Sequence, residues 1–221
     1  MNHVRKQKYI KNMKKILVTI LGISISHFAA ALGAFVNIGQ GPFTAFCLTS
    51  SYLTGMQMGT VFIIFQVIFI AGQLLIQKEK FKAVQLLQIL IVIYGGGVLN
   101  FFLYDVFQYI TITSYLLRII LGIFSFSINA IGVIMVLEAD FIRIPLEGFL
   151  QLIADARNEK LGRYRKAFDV TLILLNIIIC VVAGYPITIR EGTIMNAIIF
   201  GTVLDLMKNP IAKIYQRYRV A

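Results

Sequence analysis

The sequence predicts an all-α, polytopic membrane protein: six transmembrane helices in two inverted three-helix repeats, with Pro-broken or re-entrant links. Three observations predict it. Of 221 residues, 58% are apolar and 14% charged, against about 25% charge in an ordinary soluble domain, and the mean hydropathy is +0.82. Several apolar runs reach the length of a bilayer crossing. Lys and Arg gather in alternate connections between them. These features exclude a soluble enzyme and a disordered chain. The net charge of +11 does not point to nucleic acid, because the basic residues flank apolar runs and do not form one polar face.

A spanning helix needs about 20 apolar residues. The runs that qualify or nearly qualify are 16–36, 57–77, 83–104, 113–137, 167–184 and a shorter one near 190–207 that holds Gly192 and Gly201. In the first, Gly22, Ser26, Ala30 and Ala34 recur every four residues, a small-residue stripe that lets a second helix approach closely. His27 adjoins the stripe and reads as a packed histidine or, alternatively, a proton carrier. The link at 37–58 has no charge. Gly39 and Gly41 allow a sharp turn there, and Pro42 suits the first turn of a new helix. Residues 43–54 are too short to span, so a re-entrant half-helix fits, its N-terminus offering free N–H groups to an anion. The competing reading is an amphipathic helix on the outer surface.

Later elements follow the same logic. Gly95, Gly96 and Gly97 in the third span, and Gly201 in the sixth, suit close helix packing. The second link, Pro145–Ala156, is amphipathic, with Leu146, Phe149, Leu150 and Ile153 on one face. Arg157, Lys160, Arg163, Arg165 and Lys166 follow it as a basic cluster, suited to anionic lipid at about 1 kcal/mol per residue.

Charge fixes the expected topology. The N-terminal tail, the 78–82 and 138–166 links and the C-terminal tail hold 19 Lys and Arg, and the other connections only Arg118 and Arg190. Positive residues stay cytoplasmic, which places both termini inside. A cleaved signal peptide is disfavoured, because the first run is long and its loss would spoil the alternation. With no Trp in the chain, Tyr serves as the interface anchor. The expected organisation is a cytoplasmic tail (1–15), a first repeat (16–110), an inverted second repeat (111–207) and a second tail (208–221).

The repeat appears when the chain is slid against itself by about a hundred residues. Pro42 then meets Pro145, Phe46 meets Phe149, Gly59 meets Gly162, and Phe65-Gln66-Val67 meets Phe168-Asp169-Val170. With two extra residues in the next loop, Gly96–Asn100 meets Gly201–Asp205. Three spans per half turn the second copy upside down, as in many secondary transporters. The alternative is a chance match between apolar sequences. Within the register, Asn37 matches Asp140, Thr44 matches Glu147, Gln66 matches Asp169 and Asn100 matches Asp205. Each neutral polar residue faces an acid, so two polar clusters approach the membrane middle from opposite sides. The competing reading is ordinary ion pairing: Arg165 with Asp169, Lys208 with Asp205, and Arg143 with Asp140 and Glu147.

The stretch Gly-Gln-Gly-Pro-Phe-Thr-Ala at 39–45, the run Ile-Pro-Leu-Glu-Gly at 144–148 and Gly-Thr-Ile-Met-Asn-Ala-Ile-Ile-Phe-Gly-Thr-Val-Leu-Asp at 192–205 resemble the YczE/YyaS/YitT family of bacterial membrane proteins. The resemblance runs from the first span to the last. It implies an integral protein of the bacterial plasma membrane and adds little about mechanism.

The function expected is that of a small-solute permease or the membrane-embedded capture subunit of a transporter. Asn37, Gly39, Gly41, Pro42, Thr44, Gln66 and Asn100 are the expected solute-binding positions, and Glu147, Asp169 and Asp205 the ion- or proton-coupling ones. The alternative is an accessory membrane protein that docks a partner through residues 157–166 and the C-terminal tail. The expected partners are the bilayer, an unidentified solute, and further copies of the chain or a protein partner. No catalytic, metal or cofactor site is expected: Cys47 and Cys180 lie far apart, and His3 and His27 are the only histidines.

Overall fold

The computed structural model describes residues 3–220, apart from the side chains of 3–11, 83–84, 204, 208 and 216–220. The basic side chains Arg5 to Lys11 of the N-terminal tail, and the expected Lys208 partner of Asp205, lie outside the described residues. Eight α-helices carry the fold: α1 (His3–Val36), α2 (Pro42–Thr54), α3 (Met58–Gln77), α4 (Leu87–Asn100), α5 (Tyr115–Ala139), α6 (Pro145–Ala156), α7 (Leu161–Ala183) and α8 (Glu191–Val220). A π-helical turn (Phe101–Val106) and a 3-10 turn (Phe107–Tyr109) extend α4. Among the described residues, five helices are long and apolar enough to cross a membrane: Asn12–Val36, Met58–Lys80, Leu87–Tyr109, Tyr115–Ala139 and Leu161–Ala183. The chain is therefore a helical, multi-pass membrane protein. Helix α8, with Pro210 inside it, is not among the five.

The surface agrees. Leu75, Leu116, Val182, Ile194 and Ile198 are exposed on the long helices, and a bilayer is the solvent in which such a surface costs nothing. The short helices α2 and α6 lie inside the bundle. Helix α2 packs on α3 and α7, and α6 packs on α3 and α7. Phe43, Ala45, Cys47 and Leu48 of α2 are buried, as are Leu146, Leu150 and Ala154 of α6. Helix α2 starts at Pro42 and ends at Gly55, whose φ of 71° closes the last turn onto the Ser51 carbonyl. Such a left-handed cap favours glycine.

Helices α1 and α5 form the central pair. Their contacts run Lys15–Asp140, Gly22–Gly132, Ser26–Asn129, Ala29–Ser125 and Val36–Arg118, an antiparallel order. A methyl at Gly22 would fall 2.7 Å from the Gly132 carbonyl oxygen, and one at Gly132 would fall 2.7 Å from that of Gly22. Helix α8 packs against α5, and α4 against α1. Helix α3 packs along α4, where a methyl at Gly59 would sit 2.1 Å from the Gly96 carbonyl. No comparable contact joins α7 to α8 among the described residues. The close approach expected of Gly201 is absent: its surroundings are open.

Polar contacts tie the bundle at both ends. At one end Arg118 donates to the Val36 carbonyl, Arg190 to the Asn37 carbonyl, and Tyr115 to Glu191. At the other, Lys15 donates to the Asp140 carbonyl.

Candidate functional site

A cavity of about 830 Å³ lies at the centre, and all eight helices contribute to its lining. Most of the lining is aliphatic or aromatic. The polar positions are few and come from different helices: Ser26, Thr44, Gln66, Asn129, Glu147, Arg165, Asp169 and Asn196 among them. A concave, mainly apolar space with a few convergent polar groups is the ordinary form of a small-molecule site.

Both short helices begin at this space. Gly41, Pro42, Phe43 and Thr44 line it from α2, and Pro145, Leu146 and Glu147 from α6. Proline at the first helical position explains why the chain starts a helix at each point. Each start brings the positive end of a helix dipole to the cavity. No side chain caps α2. At α6, Glu147 sits in the first turn, so that end already carries a negative charge.

Glu147 is held by Arg165 of α7, whose Nη1 donates to Glu147 Oε1. The same guanidinium donates from Nε to Asp169 Oδ2 at 3.2 Å. One cation thus serves two carboxylates. The second oxygens, Glu147 Oε2 and Asp169 Oδ1, are shielded and have no hydrogen-bond partner. Gln66 of α3 is 2% exposed, and its Oε1 is likewise unpartnered. Orphaned buried polar atoms cost roughly 1–3 kcal/mol each; Gln66, Glu147, Asp169 and His27 carry such atoms and line the cavity, whereas Gln40 and Asn176 carry them elsewhere.

The expected site residues divide. Gly41, Pro42, Thr44, Gln66, Glu147 and Asp169 line the cavity. Asn37, Gly39, Asn100 and Asp205 do not. Asn37 is the exposed bend after α1, with φ 52°. Gly39 adopts φ 103° against Thr193 and Arg190. Asn100 Oδ1 accepts the Gly59 N–H at 2.7 Å and secures the first turn of α3. Asp205 is exposed on α8. The expected pairing of Arg143 with Asp140 and Glu147 is also corrected: Lys15 reaches Asp140 at 3.8 Å, and Arg165 reaches Glu147. The pair Arg165–Asp169 forms as expected.

Four buried amides, Gln40, Gln73, Gln88 and Asn176, had no expected role. Gln73 of α3 is 1% exposed, and its Nε2 donates to the Pro145 carbonyl at 2.8 Å and to Gln88 Oε1 at 3.3 Å. Asn176 of α7 is fully buried, and its Oδ1 accepts from Thr188, which also meets Thr49 and the Ala45 carbonyl. Gln73 ties α3 directly to α6, and Asn176 reaches α2 only through Thr188 of the α7–α8 link. Their signal was a lone amide inside an apolar run. His27 lines the cavity: its Nδ1 donates to the Ile23 carbonyl, its ring stands edge-on to Phe62, and its Nε2, which a methyl at Gly95 would meet at 2.6 Å, is buried without a hydrogen-bond partner. Cys47 and Cys180 are free and buried, and no group of metal-ligating side chains forms among the described residues.

With this geometry in hand, comparison with known proteins gives one result. The family of unknown function DUF6198 matches over residues 13–209. The chain belongs to that family. No curated protein and no solved structure matches it.

Proposed function

We propose that the chain is a small-solute permease, or the membrane-embedded capture subunit of a larger transporter, and that it holds its solute in the central cavity. The observation that carries this reading is the cavity itself: about 830 Å³, lined by every helix, with Gln66, Glu147 and Asp169 presenting unpartnered buried atoms around it. A docking protein needs no such interior.

The reading includes an inverted repeat. Several features support it. Helices α1 and α5 end at Val36 and Ala139, α2 and α6 begin at Pro42 and Pro145, and α3 and α7 begin at Met58 and Leu161, all at the spacing of 103 that separates Ser26 from Asn129. Ser26 Oγ donates to Asn129 Oδ1 at 2.7 Å at the α1–α5 crossing. A twofold axis through that bond, in the bilayer plane, would exchange Gly22–Gly132 with Ser125–Ala29, and Lys15–Asp140 with Arg118–Asn37. It would also exchange Thr44 with Glu147, Phe62 with Arg165, and Gln66 with Asp169. All six of those last residues line the cavity. Short helices whose N-termini meet a mid-membrane site are a feature of such transporters.

In this reading α8 is the sixth span, which its exposed Ile194, Ile198 and Leu206 favour. Both termini are cytoplasmic by the charge partition. The resemblance to the YczE/YyaS/YitT family favours the bacterial plasma membrane. A partner-docking role is the second reading, favoured by the unfilled flank between α7 and α8.

Thiol accessibility tests the proposal. The native cysteines are buried, so background labelling is low. A permease exposes its cavity to each side in turn. Gln66→Cys and Asp169→Cys should each react with a membrane-impermeant maleimide in both right-side-out and inside-out vesicles. Absence of reaction from both sides would refute a solute path.

A further inference from the structure

We propose that the cavity selects an amphipathic organic amine, its cationic nitrogen held by Glu147 and Asp169 and its apolar body by the aromatic wall of Phe43, Phe62 and Phe200. This rests on the reading of the cavity as a solute site and adds the chemical class.

Charge at the site is unbalanced. Two carboxylates share the single guanidinium of Arg165 within bonding distance. Arg143 also lines the cavity, but it is exposed on the α5–α6 link and forms no ion pair among the described residues. An ionised carboxylate accepts at about four lone-pair positions. Arg165 gives each acid one bond, and the far oxygen of each is shielded and unpartnered. Inside a membrane protein such a charge is expensive unless a cation or donor meets it. Gln66, 2% exposed and also carrying an unpartnered oxygen, lines the same cavity. A protonated amine supplies what these groups lack: positive charge and up to three donors.

An anion is less well served. The α6 N-terminus is already occupied by Glu147. The α2 N-terminus is uncapped, yet no cationic side chain of α2 or α3 lines the cavity beside it. Thr44 and Phe62 stand there in the places that Glu147 and Arg165 take across the proposed axis.

Size and walls give the rest of the class. A space of about 830 Å³ falls in the range of drug-sized ligands, roughly 300–1,000 Å³, and far exceeds a metal ion. Phe43, Phe62 and Phe200 line it and supply aromatic and apolar area of the kind that suits a cation and its body. The cavity also reaches both flanks of the α7–α8 gap, at Ile173 on one side and Ile194 and Ala197 on the other. An amphipathic solute can reach the site from the hydrocarbon by that route.

The test uses the purified full-length protein in nanodiscs and three probes: naphthylethylamine, naphthylacetate and naphthylethanol. Their fluorescence is readable because the chain has no Trp, and protein-free nanodiscs give the lipid background. The amine should bind saturably and roughly tenfold or more tightly than either of the others, as a charge-assisted pair predicts. Glu147→Gln and Asp169→Asn should each weaken it about tenfold or more, while Glu159→Gln, on the exposed pair with Arg163, should leave it unchanged. Gln66→Glu adds a carboxylate without removing a partner of Arg165 and should tighten amine binding. It serves, with the wild-type comparison, where an acid variant fails to run as a monodisperse species. Equal or tighter binding of the carboxylate or alcohol overturns the proposal, as does amine binding indifferent to the acid and Gln66 variants. If no probe binds while maleimide still reaches Gln66→Cys, the amine class fails and the solute cavity stands. If maleimide fails as well, both fall.

Discussion

Arg165 decides the state of the site at the scale of single residues. It holds Glu147 from the first turn of α6 and Asp169 from its own helix, and all three side chains are about a third exposed. Removing the cation leaves two facing carboxylates, whereas removing one acid leaves a matched pair. Arg165→Met should therefore destabilise the protein by about 1–2 kcal/mol, a buried-pair penalty reduced for partial exposure, and Asp169→Asn by less. Thermal unfolding in one detergent orders the two. The opposite order would mean that Arg165 is neutralised elsewhere. The acids Glu147 and Asp169 were legible from sequence because charge in or beside an apolar run is rare. Arg165 as the partner of Asp169 was legible too, one turn away on the same helix; as the partner of Glu147 it was not, because it reaches Glu147 across the gap between two helices, while Arg143 is merely nearer in the chain.

Glycines reveal how the helices meet. Gly22, Gly132, Gly59 and Gly96 lie where a methyl would strike backbone or a packed side chain within 3 Å, and Gly97 and Gly201 face open space. Gly132→Ala and Gly59→Ala should separate their helix pairs, at about 1–3 kcal/mol each as overpacking. Gly97→Ala and Gly201→Ala should be neutral or stabilising by about 0.5–1 kcal/mol through helix propensity. A melting series on the four variants checks this. Equal effects at all four would show that α1–α5 and α3–α4 are not in close contact. The small-residue stripe of α1 announced such a contact, but not that α5 would fill it. Composition read Gly201 and Gly96 alike; only the partner helix distinguishes them, and α8 turns Gly201 toward the cavity. Helices α2 and α6 were legible from Pro42 and Pro145, yet a surface position and an internal one were equally compatible with their sequences. The buried amides Gln73 and Asn176, bonded to the Pro145 carbonyl and to Thr188, draw them inward.

For the whole molecule the open quantity is the number of crossings. Among the described residues five helices meet the requirement of length and apolarity. With α8 as a sixth, both termini lie on one side; without it, they lie on opposite sides. Compartment-sensitive reporters fused to each end should both report the cytoplasm, and a C-terminal reporter outside would remove α8 from the count. Among the described residues α3 packs closely along α4, whereas α7 makes no comparable contact with α8, and Glu147 and Asp169 stand on the α6–α7 side.

Hydropathy and charge patterning sufficed to determine a membrane protein of helices, the approximate limits of its long runs, the Pro-started links and the acids in or beside the apolar runs. Those are local properties, set by the cost of placing each residue in hydrocarbon. Which of the chosen polar residues share a space was settled only by the tertiary structure. Asn100 and Asp205 fit the same sequence pattern as Gln66 and Asp169, but Asn100 secures a helix start and Asp205 faces outward. Side-chain direction depends on which helix stands opposite, and no spacing along one chain contains that information.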